Sequence, residues 1–176
     1  RHGAEIADAL ARKLGPIGPT RPDDENARLS GFANPKMADF IDAQIEEGLK
    51  TPGAEDVTAK YRNGTRKVVF EGGTYMRPNI IRCDDFSHPL ANREFLCPYA
   101  SVVTCPQGEM LHKIGYTLAC SAITKDPAFI RELEAFPEIE RLNIGPVSTM
   151  KISWDQPHEG NMFEFLWKRR SIERAW

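Results

Sequence analysis

Ile6, Leu10 and Leu14 recur every four residues with Ala7 and Ala11 beside them. That spacing predicts a helix with one apolar face, ended by Gly15-Pro16. Residues 16–31 break the period with Pro16, Pro19, Pro22, Gly18, Gly31 and the acidic run Asp23-Asp24-Glu25, and read as a polar surface connection. Asn34 followed by Pro35 is a helix start, with Asn34 as N-cap and Pro35 at the first helical position. Met37, Phe40, Ile41 and Ile45 give this second helix its predicted core face, and Gly48 its predicted end. After Thr51-Pro52-Gly53 the pattern turns to strands. Residues 60–62 and 65–70 flank Asn63-Gly64 and predict a hairpin, because Asn-Gly supplies the positive backbone angles of a primed turn. Residues 75–81 read as extended, with Pro78 marking an edge or an irregularity.

From residue 99 onward, strand and helix patterns alternate. A strand at 100–105, a helix at 107–116, a strand at 118–124, a helix capped by Asp126-Pro127 and running to about Phe136, and a strand at 139–144 follow in order. The strands mix small and β-branched residues with little alternation, as strands covered on both faces do. This βαβαβ series predicts an α/β fold, an open and mostly parallel sheet with crossover helices. Residues 154–161 then form a polar segment rich in Pro and Gly, and an apolar stretch leads into Lys168-Arg169-Arg170.

Composition narrows the function. Across 176 residues, 23 Lys plus Arg stand against 25 Asp plus Glu, a net charge of −2. That balance argues against a nucleic-acid partner, since phosphate binding draws on surplus positive charge. The length suits one domain able to bury a core without a disulfide or metal. Hydrophobic residues at 41% and charged residues at 27% fit a globular, ordered protein. Uncharged apolar runs such as residues 118–124 fall far below the roughly 20 residues that span a bilayer, so no membrane segment is expected. The first residues lack the apolar stretch of a secretory signal. The chain opens on Arg1, not Met, which processing or a missing upstream portion accounts for. Cys83, Cys97, Cys105 and Cys120 contain no CxxC pair and predict a reduced, cytoplasmic setting. Asn63-Gly64-Thr65 matches a glycosylation acceptor, but without an export signal it reads as a turn.

The common phosphate cradles, nucleophile elbows and zinc helices are missing from the sequence. Gly15 to Gly18 and Gly72-Gly73 are glycine pairs without the strand-to-helix context of a nucleotide loop. His158-Glu159 has the composition of an acid and base pair, set against an ordered loop whose polar groups bond to backbone. His88 and His112 read as satisfied or solvated, and His2 as part of a frayed end. None of the four cysteines has the positive neighbours that prime a nucleophile: Cys105 and Cys120 sit in apolar runs, and Asp84-Asp85 follows Cys83. Lys168 to Arg170 reads as a solvated face or the positive cap of a helix. There remains Glu94, a carboxylate on a turn entering the predicted strand at 100–105, whose plainest role is a surface ion pair with Arg93 or a neighbour.

Glu94-Phe95-Leu96-Cys97-Pro98, the strand after it, the acidic helix start near Glu109, the strand ending Ala122-Ile123-Thr124, Asp126 and Arg141-Leu142-Asn143 resemble, in order and spacing, the second half of the catalytic domain of aldehyde dehydrogenases. Tyr75-Met76-Arg77-Pro78-Asn79 resembles the stretch that leads up to that family's Glu-x-Phe-Gly-Pro motif. The resemblance implies an aldehyde dehydrogenase catalytic-domain-like fold over residues 1–176, with the cofactor-binding domain absent. It implies NAD or NADP as cofactor, and Glu94 as the residue that binds the ribose hydroxyls beside the nicotinamide. Leu96 stands at the motif's aromatic position and Cys97 at its glycine, departures that mark a divergent branch. Asn143 matches an asparagine near the substrate side and takes a supporting role only. The implied partners are a small-molecule aldehyde, a missing N-terminal portion that carries the nucleophilic cysteine, and further copies of the chain in a homo-oligomer. The implied parent reaction is oxidation of an aldehyde to an acid through a thioester. A non-catalytic module that keeps this scaffold to bind a partner is the alternative, and a cysteine hydrolase using His158 a weaker third.

Overall fold

Helix α1 (Gly3–Leu14) packs through its smallest side chains. Ala7 and Ala11 are fully buried, while Ile6 and Leu10 are 52% and 38% exposed, so the predicted helix forms and within its predicted apolar face it is the alanines that make the contact. The computed structural model describes residues 2–148 and Leu166. The segment 154–161, with His158 and Glu159, and the basic run Lys168 to Arg170 lie outside the described residues. The chain divides into two units, the first ending at Cys105 and the second starting at Pro106.

In the first unit, helix α2 (Pro35–Lys50) begins as its sequence dictates, the Asn34 side chain accepting from the Lys36 N–H at 3.1 Å with Pro35 at the first helical position. Its buried stripe is Ala38, Ile41 and Ile45, whereas Met37 and Phe40 face solvent at 44% and 59% exposure. Gly48 does not end the helix, which runs on to Lys50. It is a close-approach position instead: a Cβ there would stand 2.5 Å from Leu90 Cγ. Strands β1 (Ala54–Asp56), β4 (Asn79–Cys83) and β5 (Tyr99–Val103) form one sheet in the order β1-β4-β5. β4 runs antiparallel to β1 and parallel to β5, with Asn79 opposite Tyr99 and Cys83 opposite Val103. Alternate residues of β4 feed two cores: Ile80 packs with Ala7, Ala11 and Val57, and Ile81 and Cys83 with Ala38, Ile41 and Ile45. A central strand covered on both faces reads as a continuous apolar run, which is why Ile80-Ile81 lacks alternation.

The hairpin lies later than predicted. Strands β2 (Lys67–Phe70) and β3 (Gly73–Met76) pair antiparallel, with Phe70 opposite Gly73. Their two-residue turn is Glu71-Gly72, with φ of 47° and 80°, the pair of positive angles that a primed turn requires. Asn63-Gly64 is only a bend. Residues 60–62 could not serve as its strand, because Val57–Lys60 is a 3-10 helix capped by Asp56 and Arg62 is drawn inward.

Asp56 and Arg62 form a buried ion pair, Oδ2 to Nη2 at 2.5 Å, with 7% and 4% of their side chains exposed. Arg62 Nη1 also donates to Thr58 Oγ1 at 3.2 Å, the Pro78 carbonyl at 3.3 Å and Asn79 Oδ1 at 3.2 Å. Thr58 Oγ1 in turn accepts the Ile80 N–H at 3.3 Å. Arg66 Nη1 stands 3.5 Å from the same Asp56 oxygen, and its other nitrogens reach Asp42 and Glu46 on α2. The hub therefore ties α2, the 3-10 helix and the start of β4 together.

In the second unit, a 3-10 turn at Gln107–Glu109 leads into α3 (Met110–Ile114), and β6 (Thr117–Ala122) and β7 (Ile139–Ile144) pair in parallel across α4 (Pro127–Ala135). Asp126 caps α4 by accepting from the Ala128 N–H at 2.9 Å, as the Asp-Pro signal predicts. Leu111, Phe129 and Leu133 form its core. The region is not covered on both faces as expected, since Leu118 and Ile123 are 45% and 79% exposed. The α/β class, parallel pairing and the β6-α4-β7 crossover match the expectation, with the parallel pairs lying in separate small sheets.

Removing one side of the buried pair should be costly. Arg62→Met leaves the Asp56 carboxylate buried without its partner, and should lower unfolding stability by about 3 kcal/mol in urea titration. Gly48→Ala, which drives a methyl into Leu90, should cost about 1–3 kcal/mol by the same measurement.

Candidate functional site

Glu94 lies in the irregular stretch between β4 and β5, which is fixed at its start by side chains of β5 and at its end by the main chain of β4. Before it, the Tyr99 hydroxyl donates to the Leu90 carbonyl at 2.6 Å and the Ser101 hydroxyl donates to the Ala91 carbonyl. Behind it, the Asn79 N–H donates to the Pro98 carbonyl at 2.9 Å, joining the stretch to the start of β4. Between these tethers burial alternates. Phe95, Cys97 and Tyr99 are half-buried and pack on the α2 core, while Glu94, Leu96 and Pro98 are exposed. Phe95 and Tyr99 meet edge to face at 4.8 Å between centroids, and the Arg93 guanidinium sits 5.7 Å from the Phe95 ring.

Glu94 and Leu96 are thus presented outward together. Glu94 makes no hydrogen bond or ion pair among the described residues, so the surface ion pair with Arg93 expected on the plainest reading does not form. Arg93 is occupied elsewhere, its Nη2 donating to Gln44 Oε1 of α2 at 2.8 Å. Leu96 is 86% exposed. An ionised carboxylate offers about four lone-pair sites and accepts two hydroxyl donors readily, and the bare apolar surface of Leu96 lies beside it. The stretch therefore offers solvent a hydrogen-bond acceptor and an apolar side chain two residues apart.

Asn143 belongs to the second unit. It lies on β7 directly opposite Ser121 on β6, is 9% exposed, and donates from Nδ2 to Ser121 Oγ at 3.4 Å. Its amide is engaged between two strands. His88 is a satisfied core histidine, as read from sequence: Nδ1 accepts the Leu90 N–H at 3.1 Å, so Nε2 carries the proton that the Thr51 carbonyl receives at 3.2 Å.

Sequence reasoning passed over a cleft of about 320 Å³ in the first unit, lined by Leu14, Ile17, Leu29, Ile80, Pro98 and Tyr99 among others. Its signal was present as Ile17 and Leu29, two large apolar residues inside the otherwise polar 16–31 connection. Pro98 closes both the motif stretch and this cleft.

The thiols stand apart from reactive chemistry. Burial pushes Cys97 up from 9.0 to about 11, and burial together with the Asp84 charge does the same for Cys83. Burial also raises the Tyr99 phenol, leaving its hydroxyl as a donor to Leu90. Neither thiol has the lowered pKa of a nucleophile.

Known structures place this architecture. The fold is that of aldehyde dehydrogenases, α/β proteins of which the chain spans about a third. An indole-3-acetaldehyde dehydrogenase in complex with NAD+ superposes with a TM-score of 0.71 at 17% identity, over 92% of this chain and 32% of its own. An aldehyde dehydrogenase C mutant from Pseudomonas syringae, bound to NAD+ and octanal, gives 0.70 at 22% identity over 90% of this chain and 32% of its own. A succinic semialdehyde dehydrogenase from Streptococcus pyogenes, with NADP+, gives 0.63 at 18% identity over 84% and 32%. No family model and no curated protein sequence matches the chain.

The raised thiols set a pH dependence. With folded values of about 11 for Cys83 and Cys97 against 9.0 unfolded, the unfolded chain releases these protons first. Stability from this source is complete below about pH 9 and is lost as pH rises through about 11. Urea midpoints measured across that window should fall, and Cys97→Ala should flatten the decline.

Proposed function

We propose that this chain is the C-terminal portion of the catalytic domain of an NAD(P)-dependent aldehyde dehydrogenase, which oxidises an aldehyde to a carboxylic acid through a cysteine thioester, with the nucleophile supplied from outside these 176 residues. The observation that carries the proposal is the outward carboxylate of Glu94, without a hydrogen bond or ion pair among the described residues, near exposed Leu96 in a stretch tethered at both ends. The fold, and the NAD+ and NADP+ held by proteins that share it, support the same reading.

In this proposal Glu94 accepts hydrogen bonds from both hydroxyls of the nicotinamide ribose. The charged acceptor makes each bond stronger than a neutral one. Fixing the ribose fixes the ring joined to it, so the carboxylate acts by orientation. Leu96 covers one side of the ribose and excludes water. The chemistry supplied by the cofactor, once bound, is hydride acceptance. Asn143 takes a supporting part near the substrate. The chain works in a homo-oligomer with the portion that carries the cysteine.

Two assays test this. The purified 176-residue chain, given NAD and a panel of aldehydes, should produce no NADH absorbance, and robust turnover by it alone contradicts the assignment. In the complete protein, Glu94→Gln should raise the KM for NAD(P) by about tenfold and leave the aldehyde KM unchanged. An unchanged cofactor KM removes Glu94 from the site.

A further inference from the structure

Asn63-Gly64 is used neither by the hairpin nor by the cofactor site. It is an exposed bend between the 3-10 helix and β2, with Gly64 at φ +98°. Among the described residues, neither the Asn63 side chain nor the Gly64 N–H makes a hydrogen bond. The Asn63 carbonyl does: Arg77 Nη1 donates to it, and also to the Thr65 carbonyl at 3.3 Å. A Cβ on Gly64 would stand 3.1 Å from the same nitrogen, so the guanidinium lies against the bend.

The Asn63 carbonyl and the Gly64 nitrogen are two ends of one peptide group. When that nitrogen loses its proton, negative charge moves onto the oxygen, where the guanidinium is already donating. Fixed donors aimed at the atom where charge develops lower the barrier to forming it, and a cationic donor does so more strongly than a neutral one. The geometry points to Asn63 as a site of self-modification, in which Arg77 activates the Gly64 nitrogen for succinimide formation.

The Gly64 nitrogen attacks Asn63 Cγ, the new N–Cγ bond forms, and the Cγ–Nδ2 bond breaks. Nδ2 leaves as ammonia, taking up the proton that the Gly64 amide gave to solvent. Water then opens the ring. Attack at Cγ yields an aspartate, and attack at the main-chain carbonyl yields an isoaspartate with one extra methylene in the backbone. No electrons change hands, and water is the only co-reactant. The isoaspartate moves the carbonyl that Arg77 holds, and either product adds a carboxylate beside that guanidinium.

The test is incubation of the whole chain at mildly alkaline pH and physiological temperature, followed by peptide mapping for the amide-to-acid mass change and for isoaspartate. Asn63 should convert ahead of Asn26 and Asn92, which are also exposed. Arg77→Gln should slow conversion at Asn63 by about tenfold, with Arg77→Lys, which keeps a cationic donor, in between. The folded chain should also convert faster at Asn63 than the same chain unfolded in urea, a comparison that holds if the glutamine variant does not fold. Conversion of Arg77→Gln at the parent rate or faster, or a folded chain slower than the unfolded one, overturns the inference.

Discussion

The Asp56–Arg62 pair is the constraint on which the first unit depends. Taking two charges out of water is expensive, and hydrogen bonds with Thr58, Ala59, Pro78 and Asn79 offset part of that cost. Asp56 caps the 3-10 helix, accepting from the Ala59 N–H at 3.2 Å and from the Thr58 hydroxyl at 2.5 Å. Arg62 holds Pro78 and Asn79, and Asn79 opens β4. Arg66 carries the connection to the acidic side of α2. Fixing the start of β4 fixes β5 beside it, and β5 holds the stretch that bears Glu94.

The site reading rests on a division of labour within seven residues. Phe95, Cys97 and Tyr99 are held by packing, and Glu94 and Leu96 face solvent as a consequence. Among the described residues the exposed Glu94 carboxylate makes no hydrogen bond or ion pair, and Leu96 is 86% exposed. The thiol that replaces the glycine of the resembled motif is half-buried, and burial raises its pKa. The departures from that motif therefore differ in kind: Cys97 alters the inner side of the stretch, and Leu96 its solvent-facing side.

Much of the fold was legible because local signals and tertiary packing agree. Asn34-Pro35 and Asp126-Pro127 start helices through side-chain caps that need no long-range partner. The strand at 139–144 and the β6-α4-β7 crossover follow from the order of strand-like and helix-like stretches around the Asp126-Pro127 cap. The errors have physical causes. The spacing puts Ile6 and Leu10 on one apolar face with Ala7 and Ala11, but the close packing of α1 selects the two alanines. Asn63-Gly64 outranks Glu71-Gly72 as a turn signal, yet the buried ion pair withdraws the residues that would have formed its strand. Gly48 looks like a stop signal because the sequence does not reveal that Leu90 comes to lie against it. Glu94 stands out through a motif, but that Arg93 reaches Gln44 of α2 instead of pairing with it is a long-range contact that no local pattern encodes.

Because Tyr99 and Ser101 grip the backbone at Leu90 and Ala91 from a single strand, residues 92–98 behave as a bracket whose feet are set apart from its crown. Identity at positions 94 and 96 is decoupled from the integrity of the sheet, whereas positions 95 and 97 are not free to vary. A scaffold of this kind can exchange what it presents to solvent without renegotiating how it folds.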